Sequence, residues 1–386
     1  MSKLEELLKR ECPDGVEYKK LINVCDIKRG ERITKKDIKE NEMFPIISGG
    51  QFPMGMYDKF NRDENTITIA SYGSAGYVDY QTKKFWANDV CLCLYPKIKL
   101  LNKFLYYYLK FKQDFLYSKT TNAIPNHIPT DIIKELLIPL PPIEIQKEIV
   151  GILDTFTKYQ DLLNRELELR KKQYEYYNNK LLTFNDNVEY KTLEELCDIV
   201  DYRGKTPKKV NSGIFLITAK NIRKGYIDYK KSKEYVDIND YPNIMHRGLP
   251  QIGDVLITTE APLGYVAQID RENVALAQRV IKYRPKDKSL LSSYYLKYIL
   301  LGKEFQDKLL INATGGTVKG IKGSKLHKLT IPVPPLEEQE RIVNILDKFD
   351  ALCNDITKGL PAEIELRKKQ YEYYRDKLLT FKEKKK

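Results

Sequence analysis

Lysine and arginine crowd against glycine at matching places in the two halves of this chain. The first half carries Lys28-Arg29-Gly30-Glu31-Arg32, with Lys35 and Lys36 just beyond. The second carries Arg203-Gly204-Lys205-Thr206-Pro207-Lys208-Lys209, then Lys220, Arg223 and Lys224 within TAKNIRKG. Glycine lets a backbone come close to a surface, lysine and arginine bind phosphate oxygens, and arginine also reads guanine in the major groove. These runs point to contact with a polyanion; the alternative, residue by residue, is an ordinary solvated charge run. Two Gly- and Thr-rich segments, Thr120–Ile128 (TTNAIPNHI) and Thr314–Ile321 (TGGTVKGI, with Lys319), either offer backbone N–H groups to phosphate or form structural turns.

Catalytic arrangements are missing. Gly315–Lys325 is rich in Gly and Lys but does not fit the phosphate-binding loop G-x4-G-K-[ST]. Leu140-Pro141-Pro142 lacks the amide of the Asn-Pro-Pro-aromatic motif of amino-methyltransferases. Pro13-Asp14-Gly15-Val16-Glu17-Tyr18-Lys19 matches a nuclease pattern only superficially, because its carboxylates are three residues apart rather than on neighbouring strands. The three histidines (127, 246, 327) have no metal-ligand spacing, and nothing assembles a nucleophile, base and orienting group. The residues therefore predict a chain that is not itself an enzyme and binds no metal.

Bulk properties agree with a nucleic-acid partner. Lys and Arg number 66 against 53 Asp and Glu, a net charge of +13, and the pI is about 9.1. No apolar run approaches the ~20 residues of a membrane span, and the charged N-terminus is not a signal peptide. The six cysteines (12, 25, 91, 93, 197, 353) lack C-x-x-C spacing; Cys91 and Cys93 share one face of an expected strand and read as buried thiols. The expected compartment is the reducing cytoplasm.

The elements that must position the basic loops come as a repeat. Glu168–Phe184 returns at Glu365–Phe381 with fifteen of seventeen residues identical, and Ile138–Asp154 returns at Ile331–Asp347 with eleven of seventeen. Val16-Glu17-Tyr18-Lys19 is echoed at Val188–Lys191, and Gly76-Tyr77-Val78 at Gly264-Tyr265-Val266. The module ends are nearly identical while the middles diverge. After Pro141-Pro142, positions 149, 153, 156, 160, 163, 167, 170, 174, 177, 181 and 184 step by four and three, and nine of the eleven are apolar or aromatic. That is a heptad seam, which predicts a coiled-coil rod. Its seam includes Leu153, Phe156, Leu163, Tyr174, Tyr177 and Leu181; the second copy supplies Leu346, Phe349, Tyr371, Tyr374 and Leu378. The second copy also contains Lys358-Gly359-Leu360-Pro361-Ala362-Glu363, absent from the first, and Gly then Pro predicts a break there. If the seams pair, the rods must run antiparallel and return the C-terminus to the first domain.

The divergent middles read as mixed α and β domains. Expected strands include Thr66–Ala70, Val90–Tyr95, Phe215–Thr218 and Val255–Thr258, and expected aromatic-rich helices Leu101–Phe115 and Leu290–Phe305. The tyrosines and phenylalanines of those helices read as core. The fold class is thus α+β: two similar mixed α/β domains separated by a long antiparallel two-helix coiled-coil stalk, with a pseudo-two-fold internal repeat.

Taken together, Cys12-Pro13-Asp14-Gly15-Val16-Glu17-Tyr18 and the paired I-P-x-P-P-x-E-x-Q motifs (Ile138–Gln146 and Ile331–Gln339) closely resemble the specificity (S) subunit of type I restriction–modification systems, over almost the whole chain. The resemblance implies target-recognition domains at 1–139 and 187–332 and conserved helical regions at 140–186 and 333–386. It implies a non-catalytic subunit that reads a bipartite double-stranded DNA sequence and scaffolds two methyltransferase (modification) subunits and two translocase–endonuclease (restriction) subunits. S-adenosylmethionine, ATP and Mg would sit on those partners, with no cofactor on this chain. The competing readings are a self-sufficient DNA nuclease or methyltransferase, and a bipartite DNA-binding regulator that works without enzyme partners. One departure from the family pattern is the short first helical region, which lacks the Gly-Leu-Pro-Ala-Glu segment of the second.

Overall fold

The computed structural model describes residues 3–38, 42–121, 124–184, 187–202, 207–355 and 358–384. Two compact units are present, one made of 1–164 and 363–386, the other of 165–362. Each draws on both sequence repeats. The first unit holds the first mixed domain and the last helix; the second holds the second domain and the helix that follows it.

In the first unit, strand Tyr18–Lys20 pairs antiparallel with Leu137–Pro139, which brings the two ends of the domain together. A four-stranded antiparallel sheet follows in the order Cys25–Arg29, Cys91–Pro96, Thr66–Ala70, Val78–Gln81. Thr66–Ala70 (TITIA) is buried along its whole length, as a central strand of β-branched residues should be. A smaller sheet places Phe44–Ile47 between Met56–Tyr57 and a parallel neighbour, Trp86–Ala87. Helix Asn102–Phe111 packs Phe104, Leu105, Tyr108 and Leu109 into the core.

The second unit repeats this plan where the sequence does not. Tyr190–Thr192 pairs with Thr330–Pro332. The main sheet runs Cys197–Asp201, Val280–Pro285, Val255–Thr259, Leu263–Gln268, and the small sheet again contains a parallel pair, Ile214–Ile217 with Val274–Leu276. The expected strands all form, with no bound displaced by more than one residue: Thr66–Ala70 as expected, Cys91–Pro96 one residue later, Ile214–Ile217 one residue earlier, and Val255–Thr259 one residue longer. The aromatic-rich helices are shorter than expected. The first gives way at Lys112 to a second helix, Gln113–Ser118. The other ends at Gly302, whose extended backbone starts Lys303–Asn312 in a new direction. Tyr107, Tyr108, Tyr295 and Tyr298 are core residues, whereas Phe115 and Tyr294 are exposed.

The heptad seam forms a single helix, Ile143–Leu181, of 39 residues, about 60 Å long. The returning helix is broken: Leu336–Asn354, then Leu360–Leu379. Gly359 sits at the break, where an added Cβ would lie 2.5 Å from the carbonyl oxygen of Ala351. In the first unit Phe156 stacks on Tyr374 and meets Tyr371 edge-on. In the second, Phe349 stacks on Tyr177 and tilts against Tyr174. These are equivalent triplets with the repeats exchanged, and both define antiparallel pairing. Ile149, Leu153, Leu163, Ile342 and Leu346 are buried along the seam. At the helix ends Leu182 and Leu379 are buried, while their seam neighbours Leu181 and Leu378 pack half-buried against the cores. The helix ends at Leu181, the Leu182 side chain packs into the domain core, and Phe184 lies beyond the helix.

One glutamine joins each domain to its helix. Gln146 accepts a hydrogen bond from Leu101 N (2.8 Å) and donates to the carbonyls of Lys99 (3.3 Å) and Pro141 (2.8 Å). Gln339 accepts from Ser292 N (2.9 Å) and donates to the carbonyls of Leu290 (2.8 Å) and Pro334 (2.9 Å). Both glutamines are buried. About two helical turns further on, Tyr107 donates to Asp154 at 2.6 Å, and Tyr298 donates to Asp347. Burial, and then the carboxylate, push both phenols to higher pKa. Replacing either glutamine by Met orphans one buried and two part-buried main-chain groups, so Gln146→Met and Gln339→Met should each destabilise the chain by about 2–4 kcal/mol. Urea unfolding followed by circular dichroism measures this.

Candidate nucleic-acid interface

Several loops of the first domain meet around the turn at Asn88–Val90. The buried Asn88 side chain accepts from Ile33 N at 3.1 Å and donates to the Ile33 carbonyl, and its backbone N–H donates to Ile47 O. The basic loop is pinned here because Gly30 presses on the turn: an added Cβ would lie 2.2 Å and 2.3 Å from the carbonyl oxygens of Ala87 and Asn88. The Trp86 indole donates to Glu31 O at 2.9 Å. Both the N–H and the hydroxyl of Ser71 donate to Val90 O at 2.8 Å, and Ile128 N donates to Ser71 O. Tyr72 and His127 pair by backbone and stack by ring. The Thr120–Ile128 segment therefore closes onto the end of the central strand, although Asn122 and Ala123 lie outside the described residues.

The same junction exists in the second domain with other side chains. Thr259 N donates to Arg279 O at 2.9 Å, Ile321 N donates to Thr259 O, and Glu260 pairs with Gly320. Position for position, Thr259 stands for Ser71, Arg279 for Val90 and Gly320 for His127. A cleft of about 280 Å³ opens beside it, lined by Lys209, Thr218, Lys220, Glu234, Gln278 and Arg279 among others.

The structure distributes the basic residues unevenly. Lys28 and Arg29 end the first strand of the main sheet, exposed; the Lys28 ammonium lies 5.4 Å from the Tyr95 ring centre, and Arg29 reaches Asp89 O and Thr130 Oγ1 at 3.5 Å. Arg32 is exposed, 4.0 Å from Asp89. Lys35 and Lys36 lie on the 3-10 turn Lys35–Asp37, where the Lys36 side chain is exposed. Arg203 and Lys205 lie outside the described residues. Lys208 is exposed, and Lys209 pairs with Glu234 at 2.8 Å. Lys220 and Lys319 are exposed. Arg223 is half-buried 3.9 Å from Asp228, away from the cleft lining.

The cleft thus joins Lys209 and Lys220 to two residues that sequence reasoning missed, Gln278 and Arg279. The segment Ala277–Val280 holds no glycine and Arg279 is its single basic residue, so no local pattern marks the pair. Other cations are structural. Lys282 and Asp254 are each 2% exposed and 3.7 Å apart, and Arg284 grips the same carboxylate at 2.6 and 2.7 Å. Burial holds the Lys282 ammonium below its ordinary pKa. Burial also pushes the Cys25 and Cys197 thiols up to about 12, consistent with packing rather than reactivity. Among the described residues no cluster of His, Cys, Asp or Glu is arranged to hold a metal, and no helix is long and apolar enough to cross a membrane.

The family description "Type I restriction modification DNA specificity domain" matches this chain twice, over residues 13–170 and 185–366. The chain belongs to that family. It is 33% identical to the Escherichia coli type I restriction enzyme EcoR124I/EcoR124II specificity subunit, over 99% of this chain and 97% of that protein. It is 32% identical to a putative Haemophilus influenzae type I specificity subunit, S.HindORF215P, over 98% of both chains. Among solved structures, the type I S subunit of M. genitalium shares the fold with a TM-score of 0.59 at 20% identity, covering 94% of this chain and 95% of that one. A chain solved in a study of type I restriction–modification complex assembly gives 0.58 at 17% identity, covering 95% and 98%. Each of the two family matches contains one complete loop junction.

The buried charge group should behave differently from the cleft cations. Asp254→Asn strands Lys282 and Arg284 without a carboxylate and should cost about 3–5 kcal/mol, whereas Lys282→Met leaves the Arg284–Asp254 pair intact and should be nearly neutral or stabilising. Thermal melting of the two variants gives the comparison.

Proposed function

We propose that the chain is the DNA-reading subunit of a type I restriction–modification complex and recognises a two-part double-stranded sequence, one part per domain. The observation that carries this reading is the loop junction built twice on one framework with different side chains, in a chain whose helical repeats stay alike. Helices that meet the same partner twice need the same surface; loops that meet different bases do not. Residues 1–139 and 187–332 are the target-recognition domains, and 140–186 and 333–386 the helical regions.

Lys28, Arg29, Arg32, Lys35 and Lys36 in the first domain, with Arg203, Lys205, Lys208, Lys209, Lys220 and Lys319 in the second, supply phosphate and base contacts, while Arg223, half-buried beside Asp228, is left out of that set. The seam residues hold the helices on which two methyltransferase subunits dock, and two restriction subunits join the full complex. Methyl transfer, ATP hydrolysis and cleavage belong to those partners, with their S-adenosylmethionine, ATP and Mg. The chain contributes recognition and geometry and carries no reaction of its own. It works in the cytoplasm, where the DNA is.

The direct test is reconstitution. The purified chain alone should neither methylate, cleave nor hydrolyse ATP; with its methyltransferase and S-adenosylmethionine it should direct adenine methylation to one two-part motif. Methylation by the lone chain, or methylation without a motif, contradicts the proposal.

The basic residues have their own test. Replacing Lys208, Lys209 and Lys220 together by Ala should weaken DNA binding and lower the slope of log K against log salt by about 2–3, at roughly 0.9 per lost phosphate contact. Titration of the assembled complex at four salt concentrations measures it, and an unchanged slope makes these residues solvent-facing only.

A further inference from the structure

We propose that Arg279 is a base-reading residue, recognising a guanine in the half-site handled by the second domain, and that Glu260 positions it. This rests on the DNA-reading function proposed above. Arg279 has φ +70, the left-handed region that a side chain with a Cβ enters at a cost and glycine enters freely. Its backbone is locked there: Thr259 donates to the Arg279 carbonyl through its N–H at 2.9 Å and its hydroxyl at 3.3 Å. The side chain is 55% exposed, and its ion pair with Glu260, 2.6 Å from Arg279 Nε, is itself exposed.

An exposed pair adds little to stability, so the fold gains little from arginine where glycine would hold the same turn with less strain. Strain held at a loop junction points to use of the side chain outside the fold. Glu260 is fixed through its backbone pairing with Gly320 and holds the guanidinium at Nε. The two Nη groups form the fork that matches O6 and N7 of guanine. Lys209 and Lys220 line the same cleft, where they meet the flanking phosphates. In the first domain the same position is Val90, an apolar side chain on an equally locked carbonyl, so the first half-site is not read this way.

Arg279→Gly is the informative variant, because it removes the side chain and relaxes the backbone together. The complex carrying it is assembled with the methyltransferase and tested on a DNA library randomised across both half-sites. The variant should melt no lower than the unaltered chain and should lose discrimination of about 5- to 150-fold at one guanine position. The other half-site should be unchanged. Glu260→Gln should weaken discrimination at that same position by less. An unchanged motif overturns the proposal, as does a uniform loss across all sites, which marks a phosphate contact. A large drop in melting temperature also overturns it, by making Arg279 a structural residue. If the unaltered complex yields no two-part motif, the DNA-reading proposal itself fails, a result distinct from an intact motif that ignores Arg279.

Discussion

The structure depends on a buried glutamine that speaks only to the main chain. Gln146 and Gln339 each bond to one N–H and two carbonyls, which ties the first turn of a long helix to the start of a domain helix. An amide buried with all of these partners satisfied is strongly directional, because leaving any one unpaired costs more than the bond itself is worth. Since its partners are backbone groups, the joint does not care which side chains the domain carries. It fixes where a domain sits on its helix while leaving the domain free to change.

The aromatic triplets extend this logic along the helices. Phe156 with Tyr371 and Tyr374, and Phe349 with Tyr174 and Tyr177, are one contact made twice with the repeats exchanged. Each unit therefore needs helix from both halves of the sequence. The C-terminal segment completes the first unit: Val16 N donates to Lys382 O and Lys384 N to Val16 O. Around such invariant contacts the loop junctions differ in chemistry, with Ser71, Val90 and His127 in one and Thr259, Arg279 and Gly320 in the other.

Much of this was legible in the sequence, and the reason is periodicity. The seam from Ile149 to Leu181, the break at Gly359 and the strand Thr66–Ala70 each write a local pattern. The echo Gly76-Tyr77-Val78 with Gly264-Tyr265-Val266 has a physical meaning too: Gln113 and Gln306 donate to the carbonyls of Gly76 and Gly264 in their respective domains. What stayed hidden depends on contacts distant in sequence. The shared sheet topology of the middles survives with few shared residues, since many apolar side chains fill such a core. The roles of Gln146 and Gln339 were visible only as letters in a motif. Arg279 sits in Ala277-Gln278-Arg279-Val280, which has no turn or charge signal; only the locked carbonyl and the facing Glu260 single it out. The Lys112 and Gly302 helix ends leave no mark in the sequence because the apolar pattern runs straight across them.

The joints and helices form a constant frame on which either domain can be mounted. The most direct measurement replaces residues 187–332 by a second copy of 15–139, cutting beside the paired strands that close each domain, and maps methylated sites made by the resulting complex. Gln339 then meets main-chain groups equivalent to those it already bonds. The expected result is an active complex whose motif contains the half-site of the first domain twice and has lost the other half-site. A complex that assembles and methylates but retains the original second half-site would contradict it, because recognition would then reside outside the domain that was exchanged.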